Sequence, residues 1–167
     1  MNNHMFSGRV AIVTGAGKGI GKSTAVKFAE LGANVVLNGR SEAPLRETLE
    51  AIKQTGRSAA IVVGDVSDER VAKDTVSAAL KEFRRLDFAV NNAAISPWVG
   101  NTAECKREDW ERVINTNLTG TWLGMKYQIP AMLDTGGGVI VNMTSVAALM
   151  TFAGYSPYTA SKWGSWE

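Results

Sequence analysis

The sequence predicts an α/β fold, a doubly wound sheet of parallel strands with helices on both faces. Three observations lead there. Five short apolar runs rich in β-branched residues recur along the chain, and segments of helical period lie between them. Within the runs, apolar residues stand at successive positions, as in strands covered on both sides.

The first run is "VAIVT", 10–14. Ile20, Phe28 and Leu31 then fall at helical spacing, with Gly32 placed to stop the helix. "NVVLN", 34–38, is the second strand, after which Ser41 suits the N-cap of a helix carrying Leu45, Leu49 and Ile52 and ending near Gly56. "SAAIVVGD", 58–65, is the third, followed by a helix with Val71, Ala78 and Phe83 between Ser67, a second N-cap candidate, and Asp87. "LDFAVNNA", 86–93, is the fourth and "GVIVNMTS", 138–145, the fifth. Between these two, Trp110, Ile114, Leu118, Met125 and Ile129 mark one stripe of a long helix over 108–129, stopped by Pro130. Such alternation implies right-handed crossovers between parallel strands, and no internal repeat interrupts it.

A chain of 167 residues, 45% apolar and 20% charged, suits one domain, 1–167. Eighteen basic against 16 acidic side chains leave +2, which excludes an electrostatic footprint for nucleic acid. A single cysteine, Cys105, and a single histidine, His4, exclude an internal disulfide and a His/Cys metal cluster, so no metal is expected. "MNNHMFSGR" lacks a signal-peptide core and no apolar run approaches the ~18 residues of a membrane span, so a cytoplasmic protein free of membrane is expected.

The most informative stretch is "TGAGKGIGKST", 14–24, directly after the first strand. Over Ala16 to Ser23 it fits a loosened Walker A with Lys22, for which Asp65 would be the Mg²⁺ candidate of a P-loop nucleotide hydrolase. From Thr14 it is T-G-x-x-x-G-x-G, a dinucleotide turn. Gly15 allows a sharp exit from the strand, Gly19 lets backbone approach a pyrophosphate, and Gly21 lets the helix lie close. The commoner G-x-G-x-x-G fails, because Ile20 stands three past Gly17.

Thr14, Gly15, Gly19 and Gly21 resemble the turn of the short-chain dehydrogenase/reductase family. That resemblance implies a Rossmann-type dinucleotide-binding domain whose turn, Ile20 included, holds a nicotinamide cofactor. The second strand ends in Asn38-Gly39-Arg40-Ser41, where an acid would favour NAD(H). With no carboxylate there, Arg40 able to fork onto phosphate, Ser41 able to donate and Lys18 adding charge, NADP(H) is expected over NAD(H). Asp65 and Val66 resemble the family's adenine-side pair. "NNAA", 91–94, resembles its Asn-Asn-Ala-Gly turn, placing Asn92 and Ala93 at the cofactor, with Ala94 departing from the pattern.

Downstream, Tyr158 and Lys162 stand one helical turn apart and match the family's Tyr-x-x-x-Lys, whereas Tyr155 is followed four on by Thr159. Reducing a carbonyl by hydride leaves an alkoxide that needs a proton, and oxidising an alcohol needs that proton removed. A free phenol is a poor base at neutrality and a neighbouring ammonium favours its ionised form, so Lys162 is expected to activate Tyr158. The resemblance adds Ser145 as donor to the substrate oxygen, Lys162 as a ligand of the ribose, and Asn117, the Asn before the Leu-x-Gly run, as holder of a relay water. Together these imply an oxidoreductase moving hydride between NADP(H) and a small carbonyl or alcohol.

The chain departs from the family beyond Lys162, where only "WGSWE" follows and members continue with further strands and helices. A truncated fold with an exposed apolar face is expected, and with it a second reading: a catalytically inactive remnant that binds cofactor alone. Residues 95–107, with Trp98, are expected to wall a substrate pocket. The long helix, with Gly120 and Gly124 four apart, resembles one that members pair across a two-fold axis, implying a homo-oligomer, though these glycines also suit packing on the sheet.

Overall fold

The computed structural model describes residues 5–95, 99–150 and 152–165. Strands β1 (Val10–Thr14), β2 (Asn34–Gly39), β3 (Ala59–Val63), β4 (Phe88–Asn91) and β5 (Val139–Asn142) form one parallel sheet in the order β3-β2-β1-β4-β5. Helices α1 (Gly19–Glu30), α2 (Glu42–Lys53) and α3 (Glu69–Phe83) join the first four strands. Helix α4 (Arg107–Ile114), a π-helical turn (Asn115–Thr119) and α5 (Gly120–Asp134) join β4 to β5, and α6 (Ser156–Gly164) follows. This is the expected doubly wound α/β class. Its strand order reverses between β1 and β4, where a crevice opens at the carboxyl ends of the strands.

The strands are apolar throughout because each serves two cores. Val10, Ile12 and Val36 pack with Val76 and Ala79 of α3 and Ala131 and Met132 of α5. Val13, Val35 and Leu37 pack with Ala25 and Ala29 of α1 and Leu45 and Ile52 of α2. Strand β5 differs: Val139 and Val141, on one face, are 57% and 47% exposed. Among the described residues no helix is long and apolar enough to cross a membrane.

Three local expectations need correction. The helix placed over 108–129 is broken by the π-helical turn and runs through Pro130 to Asp134. Proline removes one helical hydrogen bond, and burial of Ala131 and Met132 holds the last turn in place regardless. The π turn inserts a residue and shifts the phase, so Trp110 and Ile129 lie exposed while Val113, Asn117, Leu123 and Gln128 are buried. Helix α3 is capped by Asp68, whose Oδ1 accepts from Arg70 N at 2.8 Å; Ser67 instead donates from its backbone and hydroxyl to Asp65 Oδ1. Ser41 does occupy the N-cap of α2, without a side-chain capping bond.

Two close approaches set the frame. At the amino end of the sheet, the buried Asp87 carboxylate accepts from Arg9 Nη1 and Arg85 Nη2 at 2.6 Å, from Arg85 Nε at 2.7 Å and from Val10 N at 2.9 Å. Burial pushes the Asp87 carboxyl up, but the guanidiniums of Arg85 and Arg9 and the Val10 amide outweigh it and hold the group below the usual carboxylate range. At the carboxyl end, the β1–α1 turn folds so tightly that an ideal Cβ on Gly21 would lie 2.2 Å from Gly15 O and 2.6 Å from Asn92 Nδ2.

Asp87→Asn is expected to cost about 2 kcal/mol at neutral pH, a loss moderated because both guanidiniums can rehydrate. Since the folded-state pKa is depressed, the contribution is full above pH ~4 and drains away as pH falls through the lowered value. Melting curves of the wild type and variant should therefore converge on acidification; a constant gap from pH 7 to pH ~2 would refute the account. Gly21→Ala, which forces the turn apart, should lower the melting temperature by several degrees for about 2 kcal/mol of strain.

Candidate active site

The crevice is a cleft of about 490 Å³ at the carboxyl ends of β1, β2, β3 and β4. Of the residues singled out from the sequence, Gly15, Lys18, Gly19, Ile20, Arg40, Ser41, Asp65, Val66, Asn92 and Ala93 line it. Its floor is the turn after β1. Gly15 and Gly19 have φ of +65° and +55°, values that only glycine takes without strain, and a Cβ on Gly19 would meet nothing within 4 Å. Lys18 is the extended N-cap of α1 and makes no side-chain capping bond, and the first turn holds no acidic residue. The leading N–H groups of α1 therefore lack a side-chain acceptor beside the cleft, an arrangement suited to an anion.

Thr14 and Gly21 do not line the cleft; they build it. The Thr14 hydroxyl accepts from Asn92 N and Ala93 N, each at 3.0 Å, and Asn92 Nδ2 donates to Thr14 O at 2.9 Å. The turns after β1 and β4 are thereby fastened edge to edge. Lys22, which a Walker A reading requires at the phosphate, instead pairs with exposed Glu47 at 3.4 Å and is not among the lining residues.

The lining also includes residues that motif reading passed over. Pro44 and Leu45 are apolar wall residues that no chemical pattern marks, Thr116 enters from the π turn, and Ile95, first of the stretch expected to wall a substrate pocket, lines this cleft. Asn38, a polar residue ending an apolar strand and 1% exposed, is the one whose type carried a signal. His4 and Trp98 lie outside the described residues.

Helix α6 carries the second group. Lys162 is 4% exposed, its Nζ donates to Met143 O at 2.6 Å, and it sits 5.8 Å from the centroid of the Tyr158 ring. Burial pushes its ammonium below the ordinary lysine range. Asn117, within the π turn, accepts from Ile95 N at 3.0 Å and donates from Nδ2 to Ser161 Oγ at 3.2 Å, while Ser161 Oγ donates to Tyr158 O at 2.7 Å. Asn117 thus ties the cleft wall to the helix of Tyr158 and Lys162. Ser145 Oγ accepts from Ala147 N at 3.2 Å, so its own proton is available for donation.

The structure brings Lys162 against Tyr158, and binds Lys162 to the segment after β5 that holds Ser145. Among the described residues, no hydrogen bond joins Ser145 to Tyr158 or Lys162, and none of these three lines the 490 Å³ cleft. Gly120 and Gly124 face inward, toward Val66 and Asn91, where a Cβ would come within 2.6 and 2.9 Å. Of the two uses open to that pair, they serve packing on the sheet.

Comparison with known proteins agrees with this architecture. A sequence model of the family described as short chain dehydrogenase matches residues 9–166. An uncharacterized oxidoreductase of Thermotoga maritima is 44% identical over 94% of this chain and 61% of its own length. Cyclohexanol dehydrogenase of an Acinetobacter species is 38% identical over 97% of this chain and 64% of its own. The crystal structure of carveol dehydrogenase from Mycobacterium avium in complex with NAD superposes with a TM-score of 0.91 at 29% identity, covering 96% of this chain and 63% of that one. The chain thus spans somewhat under two thirds of the relatives it matches. The glycine turn, the strand order and a family match running almost from end to end agree, and the chain belongs to the short-chain dehydrogenase/reductase family.

Proposed function

We propose that residues 1–167 form one dinucleotide-binding domain of an oxidoreductase that uses NADP(H) and acts on a carbonyl or alcohol substrate. The cleft at the strand reversal carries this reading. Its β2 end presents Arg40 and Ser41, Lys18 also lines it, and Asp65 is the one carboxylate among the lining residues. The donor set fits a dinucleotide carrying an extra phosphate. Uncapped N–H groups of α1 over Gly15, Gly19 and Ile20 would hold a pyrophosphate, and Lys18, Arg40 and Ser41 a 2′-phosphate. Asp65 and Val66 would flank adenine, and Asn92 and Ala93 the far wall.

When bound, a nicotinamide dinucleotide supplies hydride exchange at the substrate carbon. The protein's part is the proton. Tyr158 gives its hydroxyl proton to the substrate oxygen in reduction and removes one in oxidation. Lys162, fixed by Met143 O and lying over the phenol ring, sets its amine beside that group and would also bind the ribose. Ser145 donates to the substrate oxygen and orients it. Asn117, whose side chain is committed to Ile95 N and Ser161 Oγ, would hold a relay water through its backbone carbonyl. Exposed Trp110, Trp122, Ile129 and Leu133 along α4 and α5 support self-association through that face.

Fluorescence titration should show NADPH binding that Arg40→Ala weakens by about tenfold or more while leaving NADH affinity unchanged. Equal loss for both cofactors would refute the assignment of Arg40. Tyr158→Phe should keep NADPH affinity and lose turnover by about 10² to 10⁴ against a panel of ketones and aldehydes. NADPH binding without turnover by the wild type on every member of the panel would favour the cofactor-binding remnant instead. Sedimentation velocity at rising concentration should show association that Trp122→Glu abolishes.

A further inference from the structure

We propose that Asn38 is a positioning residue that locks together the three loops reading the adenosine end of the dinucleotide, an inference that rests on the function proposed above. Strand β2 leaves the sheet after Gly39, whose partner Val63 is the last paired residue of β3. Gly64, one position further, therefore has no strand partner for its carbonyl. Asn38 supplies one: its buried Nδ2 donates to Val62 O at 3.1 Å and Gly64 O at 3.3 Å.

The same residue reaches the glycine turn, because Asn38 O accepts from Ala16 N at 3.0 Å. Backbone closes the remaining side, Gly64 N donating to Gly39 O at 2.9 Å. Gly64 cannot retreat, since even a Cβ there would lie 2.3 Å from Val71 Cγ2. One side chain thus fixes the spacing between Arg40 and Ser41 on one loop and Asp65 and Val66 on the next, with the turn of Lys18 fastened to the first through the Asn38 main chain.

The remaining half of the amide shows which half matters. Asn38 Oδ1 is buried and has no hydrogen-bond partner among the described residues. Turning the amide over would set that oxygen against two carbonyl oxygens, so the donor end dictates the orientation. An apolar residue of similar shape would fill the space without an orphaned acceptor but would leave the Gly64 carbonyl unpaired at the lip of the cleft.

The test compares two ends of one strand. Asn38→Ala should weaken NADPH and 2′,5′-ADP by about tenfold, the equivalent of two neutral hydrogen bonds. Asn34→Ala removes the Asn34 Oδ1 bond to Ser58 N, 3.2 Å long, from the far end of the same strand pair, and should change affinity by less than about twofold. A merely structural role would lower both melting temperatures and leave both affinities at the wild-type value, which would overturn the proposal and spare the proposed function. Failure of the wild type to bind NADPH, NADH or 2′,5′-ADP would overturn both. Should Asn38→Ala not fold, ¹⁵N spectra of the wild type decide: the Asn38 side-chain amide should shift on adding 2′,5′-ADP, and an unmoved signal overturns the proposal.

Discussion

The architecture depends on two turns being pressed together, the one leaving β1 and the one leaving β4. Strands β1 and β4 are neighbours, yet the chain departs from them toward opposite faces of the sheet, and a crevice opens only if their turns stay in contact at the base. Thr14 supplies that contact through three hydrogen bonds between 2.9 and 3.0 Å, two from Asn92 and one from Ala93. The cost is steric. A Cβ on Gly15 would come within 2.9 Å of Asn92 Nδ2, and one on Gly21 still closer to the turn itself. The absence of side chains at these positions lets α1 begin at the lip of the crevice with no side-chain cap among the described residues, a placement suited to an anion.

A second constraint acts one strand over. Asn91 Nδ2 donates to Gln128 Oε1 at 3.1 Å and to Asn142 Oδ1 at 2.9 Å, and Gln128 Nε2 returns a bond to Asn91 Oδ1 at 2.9 Å. Amides that satisfy one another are specific in a way that valines are not, because a slip of β5 by one residue would break the bond from Asn91 to Asn142 and turn Asn142 to the other face. The segment leaving β5 holds the carbonyl that binds Lys162 and the hydroxyl of Ser145. Register in the sheet thereby becomes position at the site, an effect that the short, half-exposed β5 could not achieve by apolar packing alone.

The legible parts of this protein were those governed by short-range rules. All five strands lie where the apolar runs do, because two cores demand continuous hydrophobicity, and ten of the residues marked for the cofactor line one cleft. The errors arose where distant packing overrides a local rule. Pro130 obeys its usual prohibition in isolation, but Met132 is 4% exposed in a core that α5 must reach. The π turn has no spacing signature, since its phase shift serves to bury Asn117 against Ile95 and Ser161, partners 22 and 44 residues away. Asn38 went unmarked for the same reason: its partners belong to another strand.

Lys162 is where stability and chemistry pull in opposite directions. Its ammonium is buried with a carbonyl for a partner, and burial lowers its pKa without a carboxylate to restore it. A lysine whose folded-state pKa is depressed destabilises the fold below that value, and the penalty fades as pH rises through it toward the unfolded value. At pH values below the lowered pKa the chain therefore carries a penalty that a leucine at this position would avoid. A compensating gain has to come from outside the folding balance, and the phenol of Tyr158, its ring centroid 5.8 Å from Nζ, is the neighbour that the function proposed above pairs with it. The burial that weakens Lys162 as a structural element also leaves the field of its charge less screened, because water is excluded around it.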